Sequence, residues 1–195
     1  LRMLMQGGTA ADAAVAVMAV LNVVEPWASG AAGNGFATCM DGKTAKISAL
    51  AFAGAAPQLL EDTASAADLT AGPKAVVTPG AFGGWVELAR RHGKLPLSVL
   101  LEPAIGYARD GHPLDPSIAQ TIARQQAMLT RFPTTAAIYF PDAEPPAPRT
   151  MFRNLPLARS FQILADAETA ALKAGASRDR ALSAASGIAV LHVKN

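Results

Sequence analysis

The sequence predicts an α+β fold, mostly helical with a few strands, and three observations carry that expectation. Hydrophobic residues make up 51% of the 195 and charged residues only 16%, the balance of a chain that buries a core. Several stretches carry apolar residues at helical spacing and end at Gly or Pro. One Asp-Gly pair, Asp41-Gly42, stands between two short strand-like runs. Alanine and leucine supply much of the apolar content while aromatics are 6%, so the elements are expected to pack at close range.

In chain order, residues 1–6 read as a helical piece stopped by Gly7-Gly8. Thr9 and Asp12 have the spacing of an N-terminal capping arrangement, with Asp12 near the positive end of the following helix. That helix, 13–24, is apolar all round and is expected to be buried on most faces until Pro26 stops it. A small-residue loop from Ser29 to Gly35 leads into a strand at 36–40, and 45–50 returns as its hairpin partner. After an alanine-rich connection, helices are expected at 81–92, closed by Gly93, and at about 99–109, stopped by Asp110-Gly111-His112-Pro113. A longer amphipathic helix follows at 117–130. Residues 141–149 carry four prolines and read as a surface loop, and 155–173 is helical with Gly175 as its stop. No internal repeat and no dividing linker appears, so 1–195 reads as a single partial domain.

Composition excludes several function classes. The net charge is +2 and the basic residues are scattered without aromatic interleaving, so nucleic acid is not an expected partner. The longest early apolar run, 13–21, is shorter than the ~20 residues a membrane helix needs, so no membrane segment is expected. The single Cys39 forms no disulfide framework and reads as a small hydrophobe in a strand. His92, His112 and His192 are far apart, so no metal or cofactor is expected. Those at helix ends read as structural, offsetting the helix dipole when protonated. No Gly-x-Ser-x-Gly elbow occurs, the glycine loop precedes a strand rather than a helix, and Glu61-Asp62, Glu102 and Asp110 form no carboxylate pair suited to catalysis.

Three segments go further. Gly7-Gly8-Thr9-Ala10-Ala11-Asp12-Ala13-Ala14-Val15-Ala16, then Val23-Val24-Glu25-Pro26, then Ser29-Gly30 to Gly35-Phe36 resemble the γ-glutamyltransferase series GGNAxDAAVA, VEP and SGxGGGGF. Thr78-Pro79-Gly80, Gly84-Trp85 and Gly93-Lys94-Leu95-Pro96 are similar to its VPG, G-W/L and GxLP stretch, and Leu100 to Ile105 to its LLEPAI motif. The resemblance implies a four-layer αββα sandwich of the N-terminal-nucleophile hydrolase type, of which this chain is a large-subunit portion. It implies an enzyme that cleaves or transfers a γ-glutamyl or related acyl group from a small-molecule amide. Such proteins are made as precursors that cut themselves. The nucleophile is then the N-terminal Thr of a separate small subunit, so this chain holds no catalytic residue and is expected to be inactive alone.

The resemblance also implies a D-x-R-E-x-A-P stretch after the hairpin, whose Arg grips the substrate α-carboxylate. The aligned residues here are Ala51-Phe52-Ala53-Gly54-Ala55-Ala56-Pro57. Ala53 stands in the Arg position beside Phe52, so the substrate-binding point is small and apolar. A bidentate Arg–carboxylate contact is strong and geometrically specific, and its loss points to a different acyl group, as in acylase and amidohydrolase relatives. An inactive binding homologue is the alternative. Periplasmic or extracellular placement follows from the resemblance alone: Leu1 lies inside a helix-like stretch, as at a cut end, and no leader is visible.

Overall fold

The computed structural model describes residues 1–56 and 65–194, so Pro57 and Glu61-Asp62 lie outside the described residues, as does the side chain of His192. The short α1 (Arg2–Met5) turns into α2 (Ala10–Val24) through Gly7. The Thr9 hydroxyl accepts from the Asp12 amide at 3.2 Å and the Asp12 carboxylate accepts from the Thr9 amide at 2.8 Å, the reciprocal pair the spacing predicts. One face of α2, with Val15 and Ala19 fully buried, enters the core. Only Ala10, Ala14 and Val17 are exposed, on one narrow stripe, so the helix is covered on most faces as its sequence predicts.

The strands β1 (Phe36–Met40) and β2 (Ile47–Ala51) pair antiparallel, Phe36 opposite Ala51 and Met40 opposite Ile47. The turn is longer than an Asp-Gly pair suggests. Its closing bond runs from the Asp41 amide to the Lys46 carbonyl at 2.9 Å. The Asp41 carboxylate accepts from the amides of Lys43 and Thr44, which folds residues 41–46 into a loop instead of a two-residue turn.

Two helices follow as read, α3 (Ala81–His92) and α4 (Leu97–Asp110). Pro103 lies inside α4 without ending it. Leu97, Leu100, Leu101, Ala104 and Ala108 are all fully buried on that helix, and this apolar stripe outweighs the lost amide. Next come β3 (His112–Pro113), α5 (Pro116–Arg124), α6 (Gln126–Leu129), α7 (Pro133–Tyr139) and β4 (Met151–Phe152), which pairs antiparallel with β3. The single helix expected at 117–130 breaks at Gln125. The buried stripe Ile118, Ala119, Ile122 stops one turn earlier, and Ala123 to Gln125 face solvent. α7, β3 and β4 were not read from the sequence at all.

The last two helices are α8 (Leu155–Lys173) and α9 (Arg178–Lys194). α4 packs on α2 and α8, and α9 packs on α8 and α3. Trp85 of α3 centres the main core, edge-on to Phe82 at 6.1 Å and tilted against Phe161 of α8 at 6.3 Å. Burying each such large apolar side chain stabilises the fold by roughly 1.5–3 kcal/mol. Leu182 of α9 belongs to this core and is fully buried. A smaller core of Leu114, Ile118, Ala119, Ile122, Phe140 and Phe152 lies under α5–α7. Among the described residues, no helix is long and apolar enough to cross a membrane.

Candidate functional site

The segment that leaves β2 is held on both sides. The Phe52 amide donates to the Gly35 carbonyl at 3.0 Å, and the Thr78 amide donates to the Ala55 carbonyl at 3.0 Å. The Gly80 and Ala81 amides both donate to the Gly33 carbonyl, at 3.0 and 2.9 Å, which ties the start of α3 to the small-residue loop before β1. At Gly54 the chain passes so close to Thr78 that an added Cβ would stand 1.6 Å from the Thr78 carbonyl oxygen. No L side chain fits there. The Phe52 ring lies over Gly84, where a Cβ would come within 2.1 Å of it, so the ring occupies a slot that only glycine leaves open.

This clamped path fixes which way Ala53 points. Phe52 and Gly54 are half-buried, and Ala53 and Ala55 are exposed. Ala53 thereby continues the outward row Ile47, Ala49, Ala51 of β2, with Phe36 and Met40 of β1 beside it. Phe36 is 76% exposed, Met40 67% and Ile47 66%, so the outer face of the hairpin is exposed and mostly apolar, interrupted by Thr38.

A second cluster secures the turn between α3 and α4. The fully buried Asp12 carboxylate accepts from the Lys94 amide at 2.9 Å and the Leu95 amide at 3.4 Å, in addition to Thr9. The Thr9 hydroxyl donates to the His92 carbonyl at 2.8 Å. From α8, the fully buried Glu168 accepts from the Leu97 amide at 2.5 Å and so caps α4, which has no cap of its own. Burial pushes the Glu168 carboxyl above the usual carboxylate range, against the Leu97 bond and the nearby charge of Arg178. Arg178, the first residue of α9, donates to the carbonyls of Ala89 and Leu95 at 3.0 and 3.3 Å. Three charged side chains from three helices thus satisfy one turn. The sequence reading placed Asp12 in the capping arrangement with Thr9, near the positive end of α2, and missed the other two. Glu168 was findable, because Phe161, Leu164 and Ala165 place it on the buried stripe of α8.

The remaining candidates hold structural places. Cys39 is half-buried in β1 against the main core. Ser48 and the ring of His92 lie 3.3 Å apart, but Asp41 spends its carboxylate on its own loop, so no triad forms. Glu102 is an exposed helix residue paired with Arg2 at 2.6 Å, and Asp110 ends α4 paired with Arg109. Among the described residues no three His, Cys, Asp or Glu side chains converge as metal ligands. His112 corrects the sequence reading. It is buried, and burial pushes its imidazole below the usual range, so it sits at the end of α4 as a neutral ring and not as a cation offsetting the dipole.

The gamma-glutamyltranspeptidase family model matches residues 1–177. The chain belongs to this family. It is 34% identical over 188 residues to the acylase ACY 1 proenzyme of Pseudomonas sp. (strain V22), covering 89% of this chain and 34% of that protein. It is also 34% identical over 184 residues to the glutathione hydrolase proenzyme of Bacillus subtilis (strain 168), covering 88% and 31%. The crystal structure of Helicobacter pylori gamma-glutamyltranspeptidase superposes with a TM-score of 0.79 at 25% identity, over 85% of this chain and 50% of that one. The chain therefore spans about a third of the length of these curated relatives. The mostly helical unit is part of the family's N-terminal-nucleophile hydrolase sandwich. The motifs that carry the resemblance are the ones the Asp12 carboxylate and the Gly33 carbonyl join: the α2 entry to the Gly93–Pro96 turn, and the small-residue loop to the start of α3.

Proposed function

We propose that residues 1–195 form one partial domain, the large-subunit part of an enzyme that cleaves or transfers an acyl group from a small-molecule amide. A Thr at the N-terminus of a separate small subunit is the nucleophile. Its hydroxyl adds to the amide carbonyl while its own α-amine takes the proton, the amine product departs, and the acyl group passes to water or an acceptor amine. The observation that carries this reading is the clamped strand end at 52–55, which keeps Ala53 in a fixed outward position at the rim of an apolar sheet face. That face, from Phe36 and Met40 to Ile47 and Ala51, is the surface on which the rest of the protein packs. Self-cleavage is the first expected result. The complete protein should run as two bands on a denaturing gel, and one uncleaved band would favour an inactive binding homologue.

Ala53 sets the substrate class. With no guanidinium at this position, the acyl group is not held by an Arg–carboxylate fork, and comparable kcat/KM on γ-glutamyl-p-nitroanilide and on non-glutamyl anilides is expected. A strong γ-glutamyl preference would sink this assignment. The similarity to an acylase supports it. Ala53→Arg should shift selectivity toward the γ-glutamyl anilide by about 10–100-fold, the worth of one charge-assisted contact. The exposed position leaves room for the longer side chain, so an unchanged ratio in a folded variant would place carboxylate recognition elsewhere.

A further inference from the structure

His112 sits at the seam between the two cores. On one side is the last turn of α4, with the Tyr107 ring edge-on at 6.5 Å. On the other is Phe152 of β4 at 6.0 Å, itself stacked on Tyr139 of α7 at 5.4 Å. The residue is 6% exposed and its Nδ1 has no hydrogen-bond partner. Across the seam the Asn154 amide donates to the Ala108 carbonyl at 2.8 Å and the Arg153 guanidinium donates to the Asp110 carbonyl at 3.2 Å, while the short β3–β4 ladder and the bonds linking Leu114 to Thr150 and Arg149 close the base of the smaller unit.

A proton on Nδ1 would create a buried N–H without an acceptor, on a ring surrounded by aromatic edges. The Tyr107 backbone favours the protonated ring, but burial outweighs it, and no carboxylate near the ring is free to pair with it. Tyr107 of α4 presents its ring edge, and burial raises the Tyr139 phenol of α7 above its usual value. Arg109 and Asp110 at the end of α4 are paired with each other at the surface. Arg153, after β4, packs its stem near Gly111 and donates to the Asp110 carbonyl, adding positive charge to the neighbourhood.

We propose that His112 is an acid-sensitive latch whose protonation releases the unit between β3 and β4, with its own small core, from the main helical layer. The folded state holds the imidazole below its ordinary value, so the stabilisation is complete above the unfolded value of about 6.5 and is lost as pH falls through and below it. Release is local, because the main core contains no part of this seam except Ala108 and its neighbours on α4.

The test is hydrogen exchange by mass spectrometry on the complete protein at pH 7.5 and pH 5, corrected for intrinsic exchange rates. Protection of peptides within 114–152 should fall by about 10-fold or more at pH 5 while α3 and α4 peptides stay protected. Each step of one pH below the ordinary imidazole value favours the released, protonated form by up to about tenfold. His112→Phe should abolish the difference. Unchanged protection in the wild type, or equal acid loosening in the Phe variant, would overturn the proposal. If the variant fails to fold, the wild type still decides through its imidazole titration by NMR: a His112 signal that titrates below the ordinary range, in step with the loss of protection, supports the latch, and one that titrates at or above that range overturns it.

Discussion

Asp12→Ala is expected to lower the unfolding free energy of the complete protein by roughly 3–5 kcal/mol, as measured by denaturant titration. The carboxylate is fully buried and accepts from the amides of Thr9, Lys94 and Leu95, so its removal takes the acceptor from three donors at once. The loss exceeds that of an ordinary N-cap, about 1 kcal/mol, because the same group also fixes a turn far away in sequence. Asp12→Asn keeps one acceptor oxygen and should fall between the two. A cost near 1 kcal/mol for the alanine variant would show that the turn is held by Glu168 and Arg178 without Asp12.

Gly54→Ala should be at least as damaging, costing more than about 3 kcal/mol or abolishing soluble protein, because overpacking against backbone has no soft neighbour to yield. The added methyl would collide with the Thr78 carbonyl at 1.6 Å, and relief requires breaking the Thr78–Ala55 bond that clamps the segment. Gly83→Ala is the control, since nothing lies within 4 Å of a Cβ there and the residue is on α3. Thermal melts of the two variants separate a specific clash from a general intolerance of alanine. Equal melting temperatures for both would mean that segments 52–55 and 78–80 are not in register as described.

How much of this was legible follows from what each residue type signals locally. Gly93 and Gly175 close helices, Thr9 and Asp12 open one, and α3 and α8 begin and end where those signals stand. α5 and α6 were fused because Arg124, Gln125 and Gln126 are sound helix formers, and only the end of the buried stripe at Ile122 marks the break. β3 and β4 are pairs of residues that become strands only by meeting each other, which no local pattern encodes. Ala53 was found by resemblance, since an alanine in an alanine-rich segment carries no chemical signal of its own. Arg178 was invisible for the opposite reason: its partners are backbone carbonyls on α3 and in the turn before α4, and a carbonyl has no sequence identity.

Arg178 also bears on where the unit ends. The family match stops at residue 177, and the next residue is the one whose guanidinium closes the turn, followed by Ala181, Leu182 and Ala185 with no exposed surface. The family pattern and the cooperative fold therefore draw different borders on this polypeptide. A piece trimmed to residues 1–177 would lose the helix that shields α3 and α8, and its faults would be those of an amputated fold rather than of a poor sequence.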